Sequence, residues 1–259
     1  MMLKGKVAVI YGAGGAIGGA VAHAFADEGA KLFLTGRYLA PVAAVATEVV
    51  SAEAAEVDAL DERAVDQHLQ SVIDTAGRLD ISFNAVGIPD ANILGVPLVE
   101  LDLEQFSLPI ATYTASYFLT ARLAARRMIA NKSGVIMTVT ALHSRTGIPL
   151  VGGYGPAMSA KEALTRDLSA ELAPQGIRVV GLRPQGLPET NTLREAFEPR
   201  AKASGMTWEQ WQEFLASRTH ARRLMTLEEM SNIAVFMASD KASGITGTTV
   251  NLTMGSLDD

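Results

Sequence analysis

The sequence has no cysteine among its 259 residues. Disulfide bonds and thiolate metal sites are therefore excluded, and we predict no metal site. No apolar run is long enough to cross a bilayer, and the apolar stretch near the start soon breaks into glycines, so we interpret it as a buried strand rather than a signal peptide. Since the absence of cysteine fits a reducing compartment, we expect a cytoplasmic protein with no membrane contact.

Positive charge is also scarce. The chain has 22 Lys and Arg against 28 Asp and Glu, which gives a net charge of −6. Binding to nucleic-acid phosphates needs a basic face, so nucleic acid is excluded as the main partner. Charged residues make up 19% and hydrophobic residues 48% of the chain, which is enough apolar material for a large core and too little charge for disorder.

Apolar runs alternate with amphipathic stretches along most of the chain. Strands are predicted at Val7–Tyr11, Lys31–Thr35, Ala54–Val57, Ile81–Asn84, Val135–Val139, Arg178–Leu182 and around Thr248–Leu252. Helices are predicted at Ile17–Asp27, Pro41–Val50, Glu62–Thr75, Leu103–Ala130, Gly155–Leu172 and Leu227–Met237. Such alternation produces right-handed βαβ units, so we predict an α/β, Rossmann-like, doubly wound parallel sheet in a single domain over residues 1–259. Pro109 should kink the fourth helix or mark its start.

The regular pattern breaks after Pro184. Residues 187–223 are rich in Pro, Glu, Arg and Trp, and they predict two short helices with loops. An insertion beyond the carboxyl end of a strand is where a substrate lid belongs. Its apolar residues would form walls for a small apolar substrate, or would simply be core: Phe197, Met206, Trp208, Trp211 and Phe214.

A glycine-rich segment links the first strand to the first helix. The segment runs from Tyr11 to Gly18 and contains Gly12, Gly14, Gly15 and Ile17. Glycines permit a tight turn and let backbone N–H groups approach a pyrophosphate, while the helix N-terminus adds unsatisfied donors. At the first βα junction, this segment predicts a dinucleotide site.

The end of the second strand predicts which dinucleotide binds. NAD-selective sites place an acid there to accept hydrogen bonds from the ribose 2′-hydroxyl, but this chain has Gly36 followed by Arg37. A guanidinium matches phosphate geometry bidentately, which favours NADP over NAD. The alternative is that Arg37 is an exposed charge at a strand end.

With these motifs, nearly the full chain resembles the classical short-chain dehydrogenase/reductase family. Tyr11 to Gly18 resembles the family's TGxxxGxG segment, and Thr246-Gly247 with Met254-Gly255 resembles its C-terminal pattern. The resemblance implies further cofactor contacts from three other segments. They are Asp58 and Ala59 at the adenine, Asn84-Ala85-Val86-Gly87 after the fourth strand, and Pro184 and Gly186 at the nicotinamide amide. It also implies a homotetramer or homodimer.

The same resemblance implies that one of the family's four catalytic groups is present. Tyr154 lies at the position of the proton-exchanging tyrosine, which also contacts the cofactor. Met158 stands at the position of the lysine, Ala141 at that of the serine and Tyr113 at that of the asparagine. The register downstream of Tyr154 is preserved without gaps, so a slipped alignment does not explain the differences.

Other residues are candidates to replace the missing groups. Lys161 lies seven positions after Tyr154 on the same helical face, where it is a candidate cation or a surface charge. Thr140 or Ser144 is a candidate hydroxyl or a loop hydrogen-bonder. His143 is a candidate acid, because histidine titrates near neutrality, or it is polar surface. Tyr113 either projects into the cleft as a second phenol or packs against the helix that begins near Tyr154.

These losses affect the two reaction directions differently. Without a nearby cation, Tyr154 should titrate near the free phenol value of about 10, so it stays protonated and suits reduction better than alcohol oxidation. Loss of the serine should harm carbonyl substrates most. We therefore expect an NADP-dependent reductase acting on an activated C=O, C=C or C=N bond. The alternatives are a catalytically silent NADP-binding sensor or partner subunit, and an assembly protein that retains the fold alone.

Overall fold

A computed structural model describes residues 1–89, 94–190 and 205–258, together with residues 194, 197, 198, 201 and 202. The strands are β1 (Val7–Tyr11), β2 (Lys31–Gly36), β3 (Ala52–Glu56), β4 (Ile81–Asn84), β5 (Gly134–Val139), β6 (Ile177–Pro184) and β7 (Thr248–Leu252). The α-helices of the described residues are α1 (Ala16–Asp27), α2 (Leu39–Glu48), α3 (Glu62–Ala76), α4 (Leu103–Met128), α5 (Tyr154–Leu172), α6 (Trp208–Ser217) and α7 (Leu227–Ala238).

The strands form one parallel sheet in the order β3-β2-β1-β4-β5-β6-β7. All five residues of β1 are buried, because helices cover both faces of the sheet. Ala8 and Ile10 join a core that includes Phe25 of α1, whereas Val9 and Tyr11 join the core on the opposite face. The predicted Rossmann-like α/β fold class is therefore confirmed.

The ends of several elements differ from the sequence prediction by one or two residues. The strand β3 begins at Ala52, two residues early, because it pairs in register with β2 from Leu32 onward. The helix α4 ends at Met128, and a short 3-10 turn continues it over Ile129–Asn131. The helix α2 runs from Leu39 to Glu48, two residues earlier than predicted at each end.

Pro109 does not mark the start of α4. That start is fixed by Asp102, whose carboxylate accepts a hydrogen bond from the amide of Gln105 at 2.7 Å. Pro109 lies buried inside the helix, two turns further on. Its ring packs near Gly153, where an added Cβ would lie 3.1 Å from the ring carbon Cγ. The prediction of a start at Pro109 is therefore wrong.

The order of the strands reverses direction between β1 and β4. In open α/β sheets a ligand binds beside such a reversal, outside the carboxyl ends of the strands. One helix of the predicted lid is present as α6, and most of the residues between 191 and 204 lie outside the described part of the chain. Within the described residues, no helix has the length and apolar character needed to span a membrane.

Candidate active site

The predicted cofactor residues lie at the carboxyl edge of the sheet. Tyr11 pairs with Thr35 on one side and with Asn84 on the other, so the ends of β1, β2 and β4 are aligned. Asn84 pairs in turn with Thr138 of β5. Since all the strands are parallel, the segments that follow them meet along this edge.

The glycine turn after β1 has a backbone that side chains would obstruct. Gly12 has a φ of +76°, and a Cβ there would lie 2.6 Å from the carbonyl oxygen of Ala85. A Cβ at Gly18 would lie 2.3 Å from the carbonyl oxygen of Gly12. Both distances are below any real contact, so glycine is required for the turn to approach both the β4 loop and its own helix.

The N-terminus of α1 is open to an anion. Gly15 is its N-cap residue and provides no side-chain cap, so the first amides of the helix, among them that of Ile17, have no side-chain acceptor. Gly14 and Gly15 are exposed. Backbone donors at a bare helix N-terminus fit the pyrophosphate of a dinucleotide.

The end of β2 combines a glycine with an exposed cation. A Cβ at Gly36 would lie 2.7 Å from a methyl carbon of Val42, so an acidic side chain fits at this position only if the Val42 side chain moves. Arg37 is exposed, and its guanidinium lies 5.1 Å from the centre of the Tyr38 ring. The neighbouring carboxylate of Glu56 accepts a hydrogen bond from the amide of Leu39 at 3.0 Å.

The segments after β3 and β4 border the same edge. Asp58 is exposed, and its carboxylate accepts from the amide of Leu60, while Ala59 beside it is buried. Asn84 is 1% exposed; its amide donates to the Thr120 hydroxyl, and its Oδ1 has no hydrogen-bond partner among the described residues. The amide of Ala85 donates to the carbonyl oxygen of Tyr11, which joins this loop to the glycine turn.

The remaining predicted cofactor residues lie on the same loops. Val86 packs partly buried against the core on the α4 side of the sheet, and Gly87 has open space around it. Pro184 is the last residue of β6 and Gly186 is half-buried. Gln185 between them is 9% exposed, and its Oε1 has no partner among the described residues. A polar atom buried at this edge fits a site that receives a polar ligand group.

Tyr154 is the first residue of α5 and contacts two other rings. The centres of the Tyr113 and Tyr154 rings are 5.7 Å apart, and those of His143 and Tyr154 are 5.1 Å apart, both with edge-to-face geometry. The Tyr113 hydroxyl accepts a hydrogen bond from the amide of Ile88 at 3.3 Å. Tyr113 therefore both packs against Tyr154 and points its hydroxyl toward the loop after β4.

The two residues that we predict at the positions of the family's lysine and serine are apolar and buried. Met158 is 2% exposed and Ala141 is 9% exposed, and they form one cluster with Ala157 and Tyr113. Tyr154 packs against the edge of this cluster. Its phenol thus borders a surface that offers neither a cation nor a hydroxyl at these two positions.

Lys161 is not a surface charge, so that interpretation is wrong. It is 1% exposed, and its Nζ donates to the carbonyl oxygen of Val139 at 2.7 Å. Its Nζ also lies 5.6 Å and 5.8 Å from the ring centres of Tyr113 and Tyr117. Burial lowers the pKa of Lys161 to about 7. The ammonium contacts Tyr113, and through that ring it neighbours Tyr154.

Ser144 and Thr140 are both bound to a buried carboxylate that sequence reasoning missed. Glu162 is 3% exposed and accepts from the hydroxyls of Ser144 at 2.5 Å and Thr140 at 3.1 Å. It also pairs with Arg183, which is 1% exposed, at 2.8 Å, and with Arg145 at 3.3 Å. Hydrogen bonds from these donors hold the pKa of Glu162 below its usual range against the opposing effect of burial.

This network joins three segments of the site. Arg183 lies in β6 just before Pro184, Glu162 lies on α5, and Ser144 lies in the loop after β5. The sequence contains a signal for this network, because Arg183 directly continues the apolar run of β6, whose residues next to it are buried. The predicted strand ended at Leu182, one residue before this arginine.

The aromatic residues of the lid stack on one another. The ring centres of Phe197 and Trp211 are 6.3 Å apart, and those of Trp211 and Phe214 are 5.4 Å apart. The helix α6 has no buried residue. The interpretation of these side chains as plain core is therefore wrong for the rings of α6.

Comparisons with known proteins agree with this geometry. A family model described as enoyl-(acyl carrier protein) reductase matches residues 12–256. An uncharacterized oxidoreductase of Thermotoga maritima is 31% identical over 99% of both chains, and secoisolariciresinol dehydrogenase of Forsythia intermedia is 30% identical over 95% of this chain and 86% of its own. The crystal structure of NAD+-bound xylitol dehydrogenase superposes with a TM-score of 0.91 at 25% identity, covering 98% of this chain and all of the other.

The chain belongs to the short-chain dehydrogenase/reductase family. It is accordingly an oxidoreductase by family, with a nicotinamide dinucleotide as the cofactor and a small molecule as the substrate. The predicted family membership is confirmed.

Proposed function

We propose that this protein is an NADPH-dependent reductase that adds hydride to an activated C=O, C=C or C=N bond of a small apolar substrate. The observation that carries the choice of cofactor is the end of β2. Gly36 provides no acid to hold an unphosphorylated ribose, a Cβ there would crowd Val42, and Arg37 beside it is an exposed guanidinium. A 2′-phosphate would find a bidentate donor there and no competing carboxylate at position 36.

Different segments of the chain would hold different parts of the dinucleotide. Backbone amides at the bare start of α1 and in the turn at Gly12 would hold the pyrophosphate. Asp58 and Ala59 would border the adenine, and the segment from Pro184 to Gly186 would border the nicotinamide amide. When bound, the nicotinamide supplies the hydride, so the chain itself has to place the substrate and supply one proton.

The surroundings of Tyr154 support the reducing direction. Met158 and Ala141 place no cation or hydroxyl beside this phenol. In the reducing direction this phenol has to donate a proton to the substrate, a step that does not require a cation to stabilise its ionised form before the reaction. Apolar walls from Ile88, Leu94 and Met158 favour an apolar substrate.

The cofactor assignment is tested by binding. We expect fluorescence titration to show NADPH binding at least tenfold tighter than NADH. Arg37→Ala should reduce the affinity for NADPH about 10- to 100-fold and leave that for NADH unchanged, because a charge-assisted contact to phosphate contributes about 1.5–3 kcal/mol. Lys4→Ala, an exposed cation before β1 at the opposite edge of the sheet, is the matched control. Equal affinity for both nucleotides would overturn the assignment.

The reductase assignment is tested by turnover. Oxidation of NADPH is followed with panels of carbonyl, enone and imine compounds, and we expect activity with at least one class. Tyr154→Phe should reduce kcat by roughly 100-fold or more, because it removes the proton donor. NADPH binding without oxidation on any panel would contradict the reductase assignment and favour a silent binding protein.

We also propose that the protein is a homotetramer or homodimer. The helix α4 exposes apolar side chains to solvent, with Leu103 at 78% and Phe118 at 41%. Exposed apolar residues on one helix favour a contact with a second copy. Analytical ultracentrifugation is the test, and a monomer at micromolar concentration would contradict this proposal.

A further inference from the structure

Tyr154 has a titratable neighbour that the proposed function leaves without a role. The imidazole ring of His143 meets the Tyr154 ring edge to face, at 5.1 Å between centres and an angle of 76°. His143 lies in the short 3-10 turn Leu142–Ser144, directly after β5, and its side chain is half-buried. It therefore reaches both the phenol and the solvent.

The proposed reduction needs a supply of protons at Tyr154. Each turnover adds one hydride and one proton to the substrate, and the proton from Tyr154 leaves a phenolate behind. Met158, at the position of the family's lysine, cannot neutralise that charge. The ammonium of Lys161 is 1% exposed and donates to the carbonyl oxygen of Val139, so it has no contact with solvent from which to regain a proton.

We propose that His143 supplies this proton, an inference that rests on the reductase function proposed above. The Tyr154 hydroxyl gives its proton to the substrate atom that does not receive hydride, and its oxygen becomes a phenolate. The imidazolium of His143 then returns one proton to that oxygen and becomes neutral imidazole, which regains a proton from solvent. Proton transfer in this direction is favourable, because free imidazolium has a pKa of about 6.5 and free phenol one of about 10.

The loop that carries His143 is held rigidly. Ser144, the next residue, donates to the buried carboxylate of Glu162 at 2.5 Å, and the backbone oxygen of Ser144 accepts from Ser159 at 3.0 Å. The backbone oxygen of His143 lies so near α5 that a Cβ at Gly155 would be 3.2 Å from it. These contacts fix the imidazole beside the phenol, which proton transfer requires.

Among the described residues, few charged or titratable groups surround this imidazole. The helix α5 contributes Tyr154, and Glu162 lies two turns further along it. The loop itself contributes Arg145, which is turned toward Glu162 at 3.3 Å. On α4, Tyr113 also contacts the Tyr154 ring, and the Nζ of Lys161 on α5 lies 5.6 Å from the centre of the Tyr113 ring. Glu162 is already paired with Arg183, so two groups in this set can exchange a proton near neutral pH: the imidazole, which borders Tyr154 directly, and the buried amine of Lys161, whose pKa is about 7.

Kinetics provide the first test. With a substrate found on the panels, we expect the kcat of the unaltered protein to fall as pH rises through about 6–7, because the donating form of the imidazole is lost. His143→Gln should lower kcat at pH 6 by roughly 10- to 100-fold, remove this inflection and leave the Kd for NADPH unchanged. Added imidazole should restore part of the activity of His143→Ala. His23→Gln, on the middle of α1, is the control for loss of a histidine.

Two results distinguish the inference from the function on which it rests. If the protein turns over and His143→Gln keeps kcat within twofold with the same pH inflection, the inference is wrong and the reductase stands. If no substrate is reduced, NMR titration of the His143 ring in the unliganded protein decides whether His143 and Tyr154 are coupled as the inference requires. We expect Tyr154→Phe to lower the pKa of His143, because the proposed transfer requires a hydrogen bond from the charged ring to the phenol oxygen, and its loss would disfavour the charged form. An unchanged titration would overturn the inference.

Discussion

The two halves of the carboxyl edge of the sheet are held by different kinds of interaction. Around β1 and β2, the proposed cofactor site consists of a glycine turn and a strand end, and Gly12 and Gly18 are each enforced by a backbone contact. Around β5 and α5, the proposed catalytic site consists of Tyr154 beside Met158 and Ala141, the residues that we predict at the positions of the family's lysine and serine. The first half depends on backbone geometry and the second on side-chain chemistry.

This difference has a physical reason. A turn that leaves 2.6 Å between a hypothetical Cβ and a carbonyl oxygen accepts no residue except glycine, and no neighbour can supply what is lost. A charge or a proton, in contrast, can come from another side chain that reaches the same place. The region around Tyr154 contains such groups in His143, Tyr113 and Lys161. The comparison can be tested by variants in each half.

The largest effect is expected at the buried carboxylate of the second half. Glu162→Gln leaves Arg183, which is 1% exposed, without its anionic partner, so we expect a loss of about 3–5 kcal/mol in the free energy of unfolding. Glu53→Gln, which breaks the exposed pair with Lys31, should cost under about 1 kcal/mol. Urea unfolding of both variants measures the difference. Equal small losses would show that the network around Glu162 does not hold the loop.

The stability of Glu162 variants should also depend on pH in a defined direction. The pKa of this carboxyl is lowered in the folded protein, so its contribution is present above the unfolded value and is lost as pH falls through the folded value. Glu162→Gln should therefore differ most from the unaltered protein at neutral pH and least in acid. A difference that is constant from neutral to acid pH would contradict this assignment.

The second prediction introduces a lysine and a serine at the two positions where the resemblance to the family leads us to expect them. Met158→Lys with Ala141→Ser should lower the pKa of Tyr154 by about 1–3, because a cation would lie one helical turn away. It should also raise kcat with carbonyl substrates about 10- to 100-fold, a change of roughly 1.4–2.7 kcal/mol in the barrier. Ultraviolet titration of the phenol and NADPH oxidation measure the two effects. Ala157→Ser, a buried neighbour in the same cluster, controls for the added hydroxyl.

The sequence predicted the sheet and the glycine turn after β1 well because both follow from local pattern. The alternation of apolar runs gave all seven strands, and the glycines after β1 identified the turn. The Glu162 and Arg183 pair was missed because it joins residues 21 positions apart on different elements, which periodicity cannot reveal. Lys161 was open to two interpretations because a polar residue on a helix is usually exposed, whereas here its Nζ is buried against residues of α4 and β5.

The third prediction concerns the glycine turn. Gly12→Ala places a Cβ at 2.6 Å from the Ala85 oxygen with a φ of +76°, so we expect a loss of about 1–3 kcal/mol in stability and weaker NADPH binding. Gly15→Ala is the control, because its φ of −87° is ordinary and its Cβ would lie 3.4 Å from the nearest atom. Thermal unfolding without cofactor should show a lower melting temperature for Gly12→Ala than for Gly15→Ala. If both variants unfold alike, the turn is less constrained than the contacts indicate.

The fourth prediction concerns the pH dependence of stability that comes from the buried amine of the second half. Burial lowers the pKa of Lys161 to about 7 from its ordinary 10.5, so the unfolded chain binds more protons between these values and stability should rise with pH across this window. The slope from this group is at most about 1.4 kcal/mol per pH unit.

Lys161→Met removes that slope and keeps the volume of the side chain. It also removes the hydrogen bond to Val139, a loss that does not change with pH. Urea unfolding at several pH values between 6.5 and 9.5 measures the free energy of unfolding of both proteins. The value for the variant minus that for the unaltered protein should fall as pH rises. Other titrating groups cancel in this difference. Parallel curves would mean that Lys161 keeps its charge throughout, and the ammonium would then act on Tyr113 at every pH at which the protein works.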